Sequence, residues 1–140
     1  MHKLPLAKLQ LGHWPTPLEP MLRLNQLHKG PELWVKRDDC SGLAMGGNKT
    51  RKLEYLLADA QQQGVTTLLT AGGVQSNHAR QTAAAAAKVG LGCELFLEQV
   101  DGLDEPDYQH SGNLLLNQLL GARDHQLPAG QDLDEAMALR

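Results

Sequence analysis

Two pairs of glycines, Gly46-Gly47 and Gly72-Gly73, each stand shortly ahead of a segment with helical periodicity. Apolar runs at 66–70 and 93–97 have the length and composition of buried strands. Alternation of buried strands with helices is typical of a parallel sheet, because parallel neighbours need a crossover connection. We therefore predict an α/β fold with an open, mainly parallel sheet and flanking helices.

The same patterns place the remaining elements. Helices are expected at about 19–28, 48–63, 77–89 and 113–120 and from 132 onward, and strands at 32–37, 66–70, 93–97 and 122–127. Asn48 is the expected N-cap of the second helix and Gly64 its stop. The buried stripe of that helix is predicted to consist of Leu53, Leu56, Leu57 and Ala60.

Composition excludes several classes of protein. Hydrophobic residues make up 41% and charged residues 21% of the 140 positions, and the net charge is -3, so nucleic acids and anionic membranes have little electrostatic attraction for the chain. Cys40 and Cys93 form no CxxC pattern, and the segment 1–6 lacks a signal-peptide pattern. We expect a cytoplasmic protein with reduced cysteines.

The segment from Gly46 to Lys52 combines a glycine turn with a basic helix start. The N-terminus of a helix favours a bound anion such as a phosphate, and glycines let a ligand approach the backbone. Lys49 lies in the predicted first turn, where the helix end, Arg51 and Lys52 favour a neutral amine able to attack a carbonyl cofactor. On spacing alone, solvated surface charges are the simpler interpretation of Lys49 and Lys52.

A nucleotide-binding P-loop is excluded by a single residue. The stretch 42–50 approaches the pattern GxxxxGK[ST], but Asn48 stands between Gly47 and Lys49. The insertion turns the lysine by about 100° around a helix, so it loses the register that a triphosphate needs.

Ser76 and Asn77 follow the second glycine pair, between a strand and a helix N-terminus, which is the usual ligand position in open parallel sheets. A hydroxyl there can relay a proton and an amide can bond a ring substituent, although spacing alone favours plain N-capping. His78 is a candidate general acid or base, but a lone histidine in a first helical turn is more often just partly exposed. Arg80 and Gln81 are consistent with anion contacts.

Four stretches together resemble the D-cysteine desulfhydrase and 1-aminocyclopropane-1-carboxylate deaminase family. They are KRDDC at 36–40, SGLA at 41–44, the run from Gly46 to Leu56, and GGVQSNHARQ at 72–81. Members of this family are pyridoxal-phosphate enzymes with the tryptophan-synthase-β-like fold. The resemblance extends over nearly the whole chain, and it implies that residues 1–140 form the N-terminal portion of that fold.

The resemblance also implies roles for single residues. Lys49 matches the lysine that forms a Schiff base with pyridoxal 5'-phosphate, and Lys52 sits where a contact to the cofactor phosphate is expected. Asn77 matches the asparagine that bonds the cofactor ring hydroxyl, and Ser76 matches a serine that acts as nucleophile or proton relay. His78 is more typical of the desulfhydrases than of the deaminases, which tend to carry glutamine there.

The implied reaction is the breakdown of D-cysteine to pyruvate, ammonia and hydrogen sulfide, with Lys49 as the base for the α-proton. The alternatives are deamination of 1-aminocyclopropane-1-carboxylate and a non-catalytic module that binds the cofactor or a partner subunit. Family members are more than twice as long and usually homodimers, so we expect an N-terminal fragment with an incomplete cofactor pocket. Such a chain is expected to be poorly stable and inactive by itself.

Overall fold

The computed structural model describes residues 7–103 and 105–140. Within these ranges, no helix has the length and apolar character needed to cross a membrane. The segment 1–6, in which the sequence shows no signal-peptide pattern, lies outside the described residues. The elements in chain order are β1 (Leu18–Pro20), α1 (Leu22–Leu27), β2 (Trp34–Lys36), α2 (Thr50–Gln62), β3 (Thr67–Gly73), α3 (Asn77–Val89), β4 (Gly92–Glu98), α4 (Pro106–His110), α5 (Gly112–Leu119), β5 (Arg123–Leu127) and α6 (Leu133–Ala138).

A three-stranded parallel sheet in the order β3-β4-β5 forms the centre of the fold. Thr67 pairs with Gly92 at the start of one register, and Glu94 pairs with Arg123 at the start of the other. Helix α3 connects β3 to β4, and α4 with α5 connects β4 to β5. The predicted α/β fold with a mainly parallel sheet and flanking helices is therefore confirmed.

The alanine-rich helix α3 is buried between two apolar clusters. Ala83 and Ala86 pack with Leu95, Leu97 and Leu114 on the side of the sheet and α5. The next alanines in the helix face the other way, towards α2 and the N-terminal segment, in the cluster Leu11, Leu43, Leu53, Leu57, Ala84 and Ala85. Small side chains let α3 approach both neighbours closely, which explains the alanine run at 83–87.

Helix α2 differs from its prediction at its start and on its apolar face. It begins at Thr50 with Lys49 in the cap position, and no side chain caps it, so the expected N-cap role of Asn48 is wrong. Leu53 and Leu57 are buried as predicted, but Leu56 is 54% exposed. Leu56 lies beside Leu69 on the outer side of β3, where no further strand pairs among the described residues.

Glu54 attaches α2 to the N-terminal segment. Its Oε1 accepts hydrogen bonds from the backbone N–H of Leu11 (3.0 Å) and Gly12 (3.2 Å) and from Nε1 of Trp14 (2.6 Å), and Nζ of Lys8 lies 2.7 Å from Oε2. Burial acts to raise the pKa of Glu54, but the bonds from Lys8, Trp14 and the backbone outweigh it and leave the pKa below its ordinary value. The carboxylate is therefore charged and fully paired.

The N-terminal region holds the largest departure from prediction. The helix expected at 19–28 is limited to Leu22–Leu27 and buries no residue, and Leu18–Pro20 forms a strand antiparallel to β2. The side chain of Asn25 bonds both backbone groups of Leu33, which joins α1 to the start of β2. Helix α4 lies between residues 97 and 113, where neither a helix nor a strand was predicted, and it begins with Pro106, a residue suited to the first helical position.

Candidate functional site

The loop that carries Lys49 is bound to α3 by two consecutive side chains. Nη2 of Arg80 donates to the carbonyl oxygen of Gly46 (2.7 Å), and Nε2 of Gln81 donates to that of Gly47 (2.9 Å). Both side chains are buried, so these bonds are costly to break. Arg80 and Gln81 thus hold protein backbone, which corrects their interpretation as anion contacts.

A buried polar cluster fixes the point at which α2 begins. Nε2 of Gln81 also donates to Oγ1 of Thr50 (2.6 Å), and the hydroxyls of Ser41 and Thr50 lie 3.4 Å apart. Ser41, Thr50 and Gln81 are each completely buried. Because Thr50 is held from inside the protein, the helix start is set by tertiary contacts and not by a capping side chain at Asn48.

The packing around the turn requires glycine at positions 46 and 47. A Cβ on Gly46 would lie 1.7 Å from the carbonyl oxygen of Asp39, and a Cβ on Gly47 would lie 2.3 Å from Oε1 of Gln81. Their N–H groups are also occupied: Gly46 donates to the carbonyl of Leu43 and Gly47 to that of Asp38. Packing within the protein therefore accounts for both glycines, and the approach of a ligand to their backbone stays a prediction.

Among the basic residues of this segment, Arg51 is already paired. Its Nη2 lies 2.6 Å from Oδ1 of Asp38, and this bond lowers the pKa of Asp38 to about 2. Lys49 is half-buried and Lys52 is exposed. Of the three cations, the two lysines are therefore the ones that a ligand can engage.

The pKa of His78 is affected by the charges of both lysines. Burial lowers the pKa of His78, and the charges of Lys52 and then Lys49 lower it further. Nε2 of His78 lies 2.9 Å from Oγ1 of Thr70, while Nδ1 is buried without a hydrogen-bond partner in the part of the chain that the structure describes. Lys52, Thr70 and His78 line one shallow groove. The result is an electropositive region with a neutral imidazole beside it.

Ser76 caps α3, as spacing alone favours. Its Oγ accepts a hydrogen bond from the backbone N–H of Ala79 (3.3 Å), which leaves the hydroxyl hydrogen available to a ligand. Gly72 and Gly73 are the last residues of β3, paired with β4, so the strand continues beyond its predicted end at residue 70. A Cβ on Gly72 would lie 2.7 Å from Oγ of Ser76, so the glycine makes room for the cap.

Asn77 is exposed at the first position of α3 and contacts Asn113, which the sequence does not indicate as a site residue. Its Oδ1 accepts a hydrogen bond from Nδ2 of Asn113 (3.0 Å) in α5. Oδ1 of Asn113 in turn accepts from Nη1 of Arg80 (3.2 Å). The only signal in the sequence is an asparagine ahead of the leucines 114–116, which does not by itself indicate a site.

Lys52 and His78 line one groove, and the positive charge of Lys49 also acts to lower the pKa of His78. Ser76 and Asn77 directly precede His78, at the N-terminus of α3. Such an arrangement suits a small anionic ligand that carries a carbonyl group: the lysines supply charge and a nucleophile, and the α3 residues supply hydrogen bonds.

Two relatives are similar to this chain over most of its length. The D-cysteine desulfhydrase of Klebsiella pneumoniae (strain 342) is 53% identical over 116 residues, which are 83% of this chain and 35% of that protein. The 1-aminocyclopropane-1-carboxylate deaminase of Burkholderia multivorans (strain ATCC 17616 / 249) is 47% identical over 135 residues, which are 95% of this chain and 39% of that protein. The chain thus spans between 35% and 39% of the length of these relatives.

A solved structure described as an "ACC deaminase homologue" superposes with a TM-score of 0.81 at 37% identity, over 96% of this chain and 39% of that one. The family described as "Pyridoxal-phosphate dependent enzyme" matches residues 9–140. The predicted resemblance and the predicted cofactor class are both confirmed at the level of the family. This chain belongs to the pyridoxal-phosphate-dependent enzyme family.

Proposed function

We propose that this chain is the lysine-bearing part of a pyridoxal-phosphate-dependent lyase that breaks down a small D-amino acid. D-cysteine is the proposed substrate, and with one water it yields pyruvate, ammonia and hydrogen sulfide. The observation that carries the proposal is the attachment of the Lys49 loop to α3 through Arg80 and Gln81. That junction holds the candidate anchor beside the side chains of a second motif, in a chain that is 53% identical to a D-cysteine desulfhydrase.

The residues present fit pyridoxal phosphate. Its phosphate is anionic, and Lys52 lines the same groove as His78, whose pKa is lowered by burial and then by the charges of Lys52 and Lys49. Its carbonyl needs a lysine amine, and Lys49 is half-buried in a loop that the protein holds rigidly. Nδ1 of His78 is a buried polar atom without a partner among the described residues, as expected where a ligand completes the hydrogen bonding.

Each candidate residue has a proposed part in the reaction. Nζ of Lys49 would hold the cofactor through its carbonyl carbon and, as a free amine, would take the α-proton of the substrate. Lys52 would bind the phosphate, and Nδ2 of Asn77 would donate to the ring oxygen. The hydroxyl of Ser76 relays a proton at the substrate. When bound, the cofactor supplies an electron sink for the α-carbon.

The anchoring role of Lys49 is tested by titrating the 140-residue chain with pyridoxal phosphate and following the visible absorbance. A saturable new band is expected for the wild type and none for Lys49→Ala. Lys29→Ala, which removes an exposed lysine after α1, is the matched control and keeps the band. A band that survives in Lys49→Ala would show that another group anchors the cofactor.

Deamination of 1-aminocyclopropane-1-carboxylate is the second candidate, favoured by the similarity over 95% of the chain to a protein of that name. Incubation of the cofactor-loaded chain with each compound separates the two. Pyruvate with sulfide from D-cysteine supports the desulfhydrase, and a keto acid from the cyclopropane alone supports the deaminase. A cofactor band without product from either compound is expected both for an incomplete fragment and for a non-catalytic binding module, so a catalytic role of this chain requires product from one of the two.

We also propose a cytoplasmic location and a small-molecule substrate with no nucleic-acid or membrane partner. The two free cysteines, Cys40 and Cys93, and the net charge of -3 support this part of the proposal.

A further inference from the structure

Asn113, in the first turn of α5, joins three residues of the site region. Its Nδ2 donates to the carbonyl oxygen of Gln75 (2.7 Å) and to Oδ1 of Asn77 (3.0 Å), and its Oδ1 accepts from Nη1 of Arg80 (3.2 Å). Its backbone N–H donates to Oε1 of Gln75 (2.8 Å). The Asn113 side chain is thus fully occupied, with both amide hydrogens and the oxygen in use.

These partners determine which way two amides are turned. A guanidinium only donates, so Arg80 must face the oxygen of Asn113. A backbone carbonyl only accepts, so that of Gln75 must face the nitrogen of Asn113. The second hydrogen of that nitrogen then meets Asn77, and only the oxygen of the Asn77 amide can accept it. The amide orientation of Asn77 therefore follows from chemistry and is not an arbitrary choice between its oxygen and nitrogen.

One end of Asn77 is consequently left for a ligand. With Oδ1 turned to Asn113, the N–H₂ group of Asn77 has no acceptor among the described residues. A ligand atom at this position has to be an acceptor, and a negatively charged oxygen gives the strongest bond.

We propose that Asn113 is a positioning residue, which locks the Asn77 amide so that its N–H₂ donates to an oxygen of the bound ligand. The proposal rests on the proposed function for the identity of that oxygen, which is the ring oxygen of pyridoxal phosphate in its anionic form. Arg80 extends the same network to the carbonyl of Gly46, so the donor and the Lys49 loop share one support.

The orientation is tested without any cofactor. Asn113→Asp keeps the shape and the oxygen that faces Arg80, and an acidic residue is tolerated in the first turn of a helix. It replaces the donor towards Asn77 and the carbonyl of Gln75 with an acceptor. The bond to Gln75 is therefore lost, and the Asn77 amide turns so that its N–H₂ binds the carboxylate. In side-chain amide NMR spectra of the ¹⁵N-labelled chain, the Asn77 pair is expected to move downfield and exchange more slowly in Asn113→Asp.

Asn117→Leu is the matched control. Asn117 lies one turn further along α5 and is completely buried, and its side-chain amide has no hydrogen-bond partner among the described residues. Asn117→Leu is expected to leave the chemical shifts of the Asn77 side-chain amide unchanged. Unchanged Asn77 signals in Asn113→Asp would overturn the proposed orientation. So would Asn77 signals that move equally in both variants, since the change would then be a general disturbance of α5.

The consequence for the ligand is tested by comparing pyridoxal phosphate with its analogue that lacks the ring hydroxyl. Asn113→Asp is expected to weaken binding of pyridoxal phosphate by about tenfold to a hundredfold, the effect of one hydrogen bond to a charged oxygen, and to leave analogue binding unchanged. An equal loss for both compounds would overturn the positioning role. Absence of any binding by the wild type would contradict the proposed function instead, while the NMR comparison still decides the orientation.

Discussion

The Gly46-Gly47 turn and the Gly72-Gly73 strand end both precede helices that carry candidate site residues, and they use glycine for different reasons. Gly46 and Gly47 have φ values of +72° and +135°, and a side chain at either would collide with Asp39 or Gln81. At the strand end, a Cβ on Gly72 would meet only the side chain of Ser76, and one on Gly73 has no heavy atom closer than 4.0 Å.

The Gly46-Gly47 turn is held more rigidly than the Gly72-Gly73 strand end. The turn ahead of Lys49 is packed, hydrogen-bonded and intolerant of any side chain, so the position of the lysine is set before a ligand arrives. The strand end is permissive except where it makes room for the Ser76 cap. The two regions therefore respond differently to the same chemical change.

The largest effect is expected from Gly46→Ala. The new methyl group would collide with backbone at a position of positive φ, and the free energy of unfolding should fall by about 3 kcal/mol or more, measured by urea denaturation. Gly64→Ala is the control, because Gly64 has φ +71° and no heavy atom within 4 Å of an added Cβ. Its loss is expected to be about 1 kcal/mol. Equal losses would show that backbone strain alone governs both sites.

Gln81→Leu is expected to lower the free energy of unfolding by about 2 kcal/mol, because the buried acceptors on Gly47 and Thr50 lose a donor. Thermal and urea unfolding measure the loss. Gln61→Leu, at an exposed position of α2, serves as control and should stay within about 0.5 kcal/mol of the wild type. A Gln81→Leu variant with the stability of the wild type would contradict the rigid attachment of the loop that carries Lys49.

At the strand end, Gly72→Ala should displace the Ser76 side chain and remove its bond to Ala79, at a cost of about 1 kcal/mol. Ser76→Ala removes the same cap directly and should give a similar value by urea denaturation. If Gly72→Ala destabilises the chain much more than Ser76→Ala, the backbone of β3 is under a constraint that the packing does not reveal.

A smaller effect is expected from pH. His78 has a pKa below its ordinary value of 6.5 because it is buried and faces two lysines, so the unfolded chain binds a proton more readily than the folded one. Its contribution to stability is present above the unfolded pKa and is lost as pH falls towards the folded pKa. Unfolding midpoints measured from about pH 7.5 to about pH 5.5 should fall in the wild type and fall less in His78→Gln. The same slope in both would remove His78 as the cause.

The smallest effect is expected for Gly73→Ala. Its φ lies outside the left-handed region and its added Cβ has no close neighbour, so the stability should change by less than about 0.5 kcal/mol in urea denaturation. A loss comparable to that of Gly46→Ala would erase the distinction between the two regions.

Features that depend on local chemistry were predictable from the sequence. Helix α3 was predicted at 77–89 and occupies those residues, with Ser76 as its N-cap and Gly90 in the left-handed conformation at its end. Features that depend on distant partners were not: β1 forms only because Leu18–Pro20 meets β2, and Leu56 is exposed because no strand within 7–103 and 105–140 pairs on that side of β3. Asn113 was missed for the same reason, since its partners lie more than 30 residues away in sequence.

The central claim, that Lys49 is the cofactor anchor, is tested most directly by reductive trapping. The chain is incubated with pyridoxal phosphate, reduced with borohydride, digested and analysed by mass spectrometry. We predict one predominant phosphopyridoxyl group, on the peptide that contains Lys49. Labelling spread evenly over exposed lysines such as Lys29 and Lys52, or concentrated on any residue other than Lys49, would contradict the account.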